Sequence, residues 1–116
     1  YRSQQAPASP AAPARAEKTD RRVQRQASAA LRQQLAPHRR QAERLERELG
    51  QVQERLAGVE ARLADSALYE AARKDELREL LADQARLKAE EASLEEAWLE
   101  ALETLEELQR QLEASE

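Results

Sequence analysis

Residues 31–63 read LRQQLAPHRRQAERLERELGQVQERLAGVEARL. Apolar side chains recur in this stretch with alternating spacings of four and three residues, a heptad repeat sustained over more than four heptads. All of the recurring positions except one are Leu, Val or Ala, and together they are Leu31, Leu35, His38, Ala42, Leu45, Leu49, Val52, Leu56, Val59 and Leu63. Such a repeat keeps one narrow apolar seam facing a partner helix. The stretch therefore predicts a coiled-coil helix, a form that binds or spaces other molecules more often than it encloses a reaction.

A second apolar seam follows later in the chain with alternating spacings of three and four residues. Its positions are Leu77, Leu80, Gln84, Leu87, Glu91, Leu94, Trp98, Ala101, Leu105, Leu108 and Leu112. Leu81, Leu99 and Leu102 widen the apolar stripe beyond this seam. Two helices with matching seams, joined by a short reversal, predict an all-α fold, an antiparallel two-helix coiled-coil hairpin.

The predicted helix boundaries follow from capping and breaking residues. Helix 1 is expected to begin near Asp20, a suitable N-cap, and to end at about residue 64. Pro37 should kink this helix, because proline removes one backbone hydrogen bond and clashes with the preceding turn. The reversal is expected at about 64–70 and helix 2 at about 70–114.

The predicted hairpin domain occupies residues 20–116 and follows a different kind of segment. Residues 1–19 hold three of the four prolines and almost no large apolar side chain. That composition predicts a flexible, disordered Pro/Ala-rich linker. Because the sequence begins without Met, we expect the chain to be a segment of a larger protein.

Helix length and charge both favour antiparallel pairing. The register that matches the helices pairs Leu63 with Leu77, Ala42 with Trp98 and Leu35 with Leu105. From Arg15 to Arg47 there are ten basic and four acidic residues, a charge of +6. From Glu90 to Glu116 there are ten acidic residues and one Arg, a charge of −9. An antiparallel hairpin lays these two oppositely charged segments side by side.

Composition excludes several classes of function. The chain is 36% charged and 3% aromatic and contains no Cys, so a thick core, disulfides and thiolate metal sites are excluded. No apolar run approaches the roughly 20 residues that span a membrane, and no secretion signal is visible. We therefore expect a cytoplasmic protein without membrane contact. A single His, open carboxylate pairs and the absence of phosphate-binding glycine motifs predict no catalytic, cofactor or metal site.

Basic residues of helix 1 are the first functional candidates, and they form two groups. The outer group occupies heptad positions that point away from helix 2 and consists of Arg22, Arg40, Arg44 and Arg47. Arginine clusters bind phosphates with release of counterions, so this group predicts a nucleic-acid interface. Without interleaved aromatic residues, base stacking is not expected and binding should be directed at the backbone.

The second group recurs every seven residues beside the seam and consists of Lys18, Arg25, Arg32 and Arg39. Its three arginines, Arg25, Arg32 and Arg39, are secondary candidates for phosphate contact. The alternative is a structural one, in which they pair with glutamates of helix 2.

The predicted reversal carries another set of candidate contact residues. They are Tyr69, Arg73, Lys74 and Arg78. The tip of a hairpin is a natural place of contact with a partner. The alternative is again structural, with the ring of Tyr69 closing the open end of the seam.

Several motifs, taken in order, resemble the C-terminal coiled-coil domain of the ABC-F ATPases, most closely those of the Uup and YheS type. They are DSALYE at 65–70, RKDEL at 73–77 and EAWLEA at 96–101, followed by Glu103. The segment RRQAERLE at 39–46 matches the first helix of that domain in character. The likeness covers about residues 20–114.

This resemblance implies a function for the whole protein. The full-length protein would carry two ATP-binding cassettes, with ATP and Mg as cofactors, and no transmembrane domain. It would act in translation, on the ribosome near tRNA, and residues 1–19 would follow the second cassette. The domain itself would be non-catalytic and would contact ribosomal RNA, tRNA or DNA. None of the family's ATP-binding motifs lies in these residues.

Two other interpretations remain open. In the first, the hairpin is a spacer or protein-contacting module that packs on the cassettes or on another protein. In the second, two hairpins associate through Leu81, Leu99 and Leu102 to form a four-helix dimer. Of the two states, we expect the monomer. Salt dependence separates nucleic-acid binding from protein contact, because phosphate binding weakens steeply with salt.

Overall fold

Two long helices make up most of the described chain. The computed structural model describes residues 8–115, with side chains for residues 16–115. Helix α1 spans Ala8–Leu63 and helix α2 spans Lys74–Ser115, and two short 3-10 helices at Ser66–Tyr69 and Ala71–Arg73 join them. The described residues contain no β-strand. The predicted all-α, antiparallel two-helix hairpin is therefore confirmed.

Helix α1 begins at Ala8, twelve residues before the predicted start at Asp20. Residues 8–19 are rich in Ala and also contain Arg, Glu and Lys, all strong helix formers. Pro10 lies in the first turn, where its missing N–H breaks no helical hydrogen bond. The predicted linker is thus helical over 8–19, and its remaining residues, 1–7, lie outside the described part of the chain.

Helix α1 continues through Pro37 without a break. Proline removes one internal hydrogen bond from the helix, but the heptad repeat on both sides of it supplies packing that holds the helical backbone. The bend expected at this position stays a prediction. At the other end, α1 stops at Leu63 and α2 starts at Lys74, within four residues of the expected limits.

Two compact units divide the chain. The first combines the chain up to Pro37 with the segment from Leu105 onward, and the second is His38–Thr104. In the second unit Val52, Leu56 and Leu87 form a buried cluster, with Val59 and Leu94 packed against it. Among the described side chains of the first unit, those of Ser28, Leu35, Leu105 and Leu108 are buried.

Both seams are confirmed as the source of the core. Every position of the first and second seams is buried or partly buried, including the polar His38, Gln84 and Glu91. Leu81 and Leu99, by contrast, are each 49% exposed, so they lie outside the hairpin's own core.

Two contacts between the helices lie within one turn of the predicted register. In the second unit the guanidinium of Arg62 donates a hydrogen bond to Glu76 Oε1, within one turn of the Leu63–Leu77 pairing. In the first unit Ser28 Oγ lies 3.1 Å from Ser115 Oγ. Ser115 Oγ donates to the carbonyl oxygen of Leu112 at 2.9 Å, so Ser28 is the donor in the serine pair. The expected register would place Ser28 opposite Leu112, three residues from this contact.

Candidate nucleic-acid interface

Three arginines of the predicted outer group lie in the second unit, on α1. Arg40, Arg44 and Arg47 are all exposed. At 100° per residue they fall within about 60° of the helix circumference, and at 1.5 Å per residue they span about 10 Å. They form one surface, which we call the outer-face arginines.

No carboxylate among the described side chains pairs with them. Arg44 donates a hydrogen bond to Gln41 Oε1, one turn earlier on the same helix. Within residues 16–115, neither Arg40 nor Arg44 nor Arg47 makes an ion pair within 4 Å, although Glu43 lies between them in sequence. An exposed, unpaired guanidinium keeps its donors and its charge available for a phosphate group.

Arg22 is also exposed but belongs to the first unit. The structure therefore brings three of the four predicted outer residues together in one unit. The seam-flanking group divides in the same way, with Arg25 and Arg32 in the first unit and Arg39 in the second, all exposed.

Three of the four seam-flanking residues show no pairing with α2 among the described side chains. Across the described side chains, Lys18, Arg25 and Arg39 form no ion pair with α2 within 4 Å. Exposed long side chains lose rotamer entropy when they pair, and they gain little Coulomb energy in water. The cross-helix ion pair of the second unit is Arg62–Glu76, close to the reversal.

The reversal presents a second basic surface. Arg73, Lys74 and Arg78 are exposed, and within the described residues none of them forms an ion pair. Tyr69 is 60% exposed, and its hydroxyl donates a 2.6 Å hydrogen bond to the carbonyl oxygen of Leu63. We call the residues Tyr69, Arg73, Lys74 and Arg78 the tip.

Leu68 is the buried residue of the reversal, and closure of the seam by the ring of Tyr69 stays a prediction. Leu68 is 0% exposed, whereas its neighbour faces solvent. Asp65 caps the 3-10 helix by accepting a 3.0 Å hydrogen bond from the backbone N–H of Ala67, which fixes the direction of the following residues. The sequence held one signal for this, since Leu68 is the one large aliphatic residue in 64–72.

Most other ion pairs of the described residues are local and lie on the acidic helix or at the reversal. Arg110 donates to Glu107 at 2.8 Å, and Arg86 donates to Asp83 at 3.3 Å. The hydrogen bond from Arg110, and then that from Gln111, hold the pKa of Glu107 below its usual value. The hydrogen bond with Glu107 in turn raises the pKa of Arg110. These carboxylates are paired with side chains of α2 itself.

Grooves beside the helices offer contact surfaces of different charge. A groove of about 420 Å³ in the second unit is lined by charges of both signs, among them Arg55, Arg86, Asp83 and Glu90. A groove of about 310 Å³ in the first unit is lined by Arg21, Gln24, Arg25, Ser28, Arg32 and Ser115. Arg21 is not among the predicted contact residues. It lies at a position that continues the spacing of the first seam, and a polar residue at such a position indicates only that the apolar stripe has ended.

Within the described residues no group of His, Cys, Asp and Glu is placed to hold a metal ion. None of the described helices is long and apolar enough to cross a membrane. No family model, curated protein or solved structure matches this chain. The functional argument therefore depends on the placement of the residues themselves.

Proposed function

We propose that this hairpin is the non-catalytic, nucleic-acid-binding C-terminal domain of an ABC-F ATPase that acts in translation in the cytoplasm. The family part of the proposal depends on the motifs between Asp65 and Glu103. The binding part depends on one observation, the exposure of Arg40, Arg44 and Arg47 without a carboxylate partner among the described residues. Ribosomal RNA, tRNA and DNA are the candidate ligands, and ATP and Mg would be bound by the cassettes.

The mechanism of binding is electrostatic and directed at phosphates. Each guanidinium offers several N–H donors in a planar fork that fits a phosphate group. Neutralising phosphates releases condensed counterions, which drives association and makes it sensitive to salt. The outer-face arginines have no aromatic residue between them, so contacts to phosphate position the ligand and carry little sequence information.

The direct test is fluorescence anisotropy of this chain with labelled duplex DNA, single-stranded DNA and a structured RNA, across a salt series. Micromolar affinity that falls as salt rises is expected, and the preferred probe names the class of nucleic acid. Absence of binding to all three probes at low salt contradicts the proposal.

A set of matched variants locates the surface. Replacing Arg40, Arg44 and Arg47 with Glu should abolish binding while helicity by circular dichroism is unchanged. The control replaces three other exposed arginines, Arg55, Arg86 and Arg110, with Glu, so both variants move the net charge from −4 to −10, two units per reversal. Equal loss in both variants would mean that net charge alone matters and that the outer-face arginines form no site.

A protein-contacting spacer is the second candidate function. The groove of about 420 Å³ favours it, because apolar side chains such as Val59 and Leu80 line it together with charged ones. Protein interfaces likewise combine apolar and polar surface. Exchange of Asp83 and Glu90 for Lys should then disrupt association with the isolated cassettes, and should leave anisotropy with nucleic acid no weaker than before.

A further inference from the structure

Helix α2 carries a further heptad repeat outside the seam that packs on α1. Its positions alternate by four and three residues and are Lys74, Arg78, Leu81, Ala85, Lys88, Ala92, Glu95 and Leu99. All eight are exposed, including the two leucines at 49% each. At 100° per residue this row lies about 100° around the helix axis from the hairpin seam, so α1 leaves it uncovered. We call it the outer row of α2.

The outer row is directional. Its charged residues before position 90 are cationic, Lys74, Arg78 and Lys88, and those after it are anionic, Glu95 and the adjacent Glu103. Alanines at 85 and 92 lie near the middle, where small side chains allow close approach. Leu81 and Leu99 lie nine residues on either side of position 90. Because of this symmetry, the row is complementary to a second copy of itself that runs in the opposite direction.

We propose that the outer row is an interface for a second copy of this chain, with the two α2 helices antiparallel about a two-fold axis. Leu81 of one copy then packs on Leu99 of the other. The two-fold symmetry repeats this contact, so the dimer contains it twice. An isologous interface of this kind requires a self-complementary surface. The heptad spacing supplies the continuous helix–helix contact.

The charges select this arrangement over a parallel one. Antiparallel pairing about position 90 brings Arg78 to within one residue of the level of Glu103 of the second copy, and Lys88 to within one turn of Glu95 of the second copy. The two-fold axis is perpendicular to the plane that contains the two α2 helices. The two residues of each charge pair therefore lie on the same side of that plane. Parallel pairing would instead place Arg78 against Arg78 and Glu95 against Glu95, which is repulsive.

This interface is independent of the proposed nucleic-acid surface on α1, and it departs from the monomer expected from the sequence. Sedimentation equilibrium across a concentration series tests it. The expected mass rises from 13.2 kDa toward twice that value as concentration increases. A chain that stays monomeric up to about 1 mM overturns the proposal.

Single substitutions test which face is used. Leu81→Glu places a charge in the contact and should weaken dimerisation at least about tenfold. Val23→Glu is the matched control, because Val23 is 58% exposed, lies on α1 and gains the same charge. A dimer that survives Leu81→Glu, or that is lost equally in both variants, contradicts the outer row as its interface.

Charge exchange tests the antiparallel register. Arg78→Glu and Glu103→Arg should each weaken the homodimer, because each creates two like-charge contacts. Mixed in equal amounts, the two variants regain both attractive contacts in a heterodimer, and association should recover to the level of the unaltered chain. A mixture that associates no better than either variant alone overturns the antiparallel pairing. Circular dichroism confirms that all variants keep their helices.

Discussion

At the scale of single residues, Leu68 has the strongest claim to a structural role. Its side chain is 0% exposed in the reversal between the helices. Leu68→Ala should lower the free energy of unfolding by about 3 kcal/mol, from lost burial and the cavity left behind. Urea denaturation followed by circular dichroism measures this loss. Leu99→Ala, at a residue 49% exposed, is the control and should cost less than about 1 kcal/mol in dilute solution. Equal losses would contradict the assigned role of Leu68.

Two glycines inside α1 offer the opposite effect. Gly50 and Gly58 are helical, and a Cβ added at either position meets no atom within 4 Å. Neither has a positive φ, so neither backbone conformation requires glycine. Gly50→Ala and Gly58→Ala should each raise the free energy of unfolding by up to about 1 kcal/mol, because alanine loses less backbone entropy in a helix. Thermal denaturation detects the gain, and a lower melting temperature in either variant would contradict this account.

At the scale of the elements, Asp65 determines how the reversal begins. Its carboxylate accepts the backbone N–H of Ala67 at 3.0 Å and caps the 3-10 helix that places Leu68. Asp65→Ala should cost about 1 kcal/mol of stability, the usual price of a lost cap. Asp65→Asn keeps an acceptor of the same shape and should retain most of it. If the Asn variant is as unstable as the Ala variant, the nearby ion pair with Arg62 matters more than the cap.

Helix α2 carries a pH-dependent contact on its acidic surface. The hydrogen bonds from Arg110 and Gln111 depress the pKa of Glu107 in the folded chain. A depressed carboxyl pKa stabilises the fold above the unfolded pKa, and this contribution disappears as pH falls through the folded value. Glu107→Gln should therefore melt slightly below the unaltered chain at pH 7 and together with it in strong acid. A melting difference that is constant with pH would contradict this linkage.

The sequence predicted both seams because a heptad repeat is itself a pattern of burial. Every position taken from that repeat is buried or partly buried. For the reversal, the sequence predicts the location but not which side chains are buried. Leu68 and Tyr69 differ in exposure because of a local cap and a 3-10 turn, and neither leaves a periodic signal. The start of α1 differs from the expected one for a related reason. The segment 8–19 combines alanines with prolines, and composition alone does not decide between helix and linker.

At the scale of the whole molecule, net charge and local charge make opposite predictions for nucleic-acid binding. The chain carries −4 overall, which repels phosphates, yet two basic surfaces on the second unit carry unpaired cations among the described residues. Local potential decides binding when the contact is shorter than the Debye length, about 10 Å at 0.1 M salt. Binding through the outer-face arginines alone should release counterions from about three phosphates, with affinity falling as roughly the third power of salt concentration on duplex DNA.

The salt exponent then assigns the contact to one surface. Replacing Arg40, Arg44 and Arg47 with Glu should remove the salt dependence together with binding. Replacing the tip cations Arg73, Lys74 and Arg78 with Glu changes the net charge by the same six units, from −4 to −10, and should leave the exponent near three. Anisotropy titrations at four or more salt concentrations give each exponent. The opposite outcome would be a tip variant that does not bind nucleic acid and an outer-face variant that still binds. It would place the phosphate contact at the reversal, because the two variants have the same net charge and differ only in the position of the lost cations.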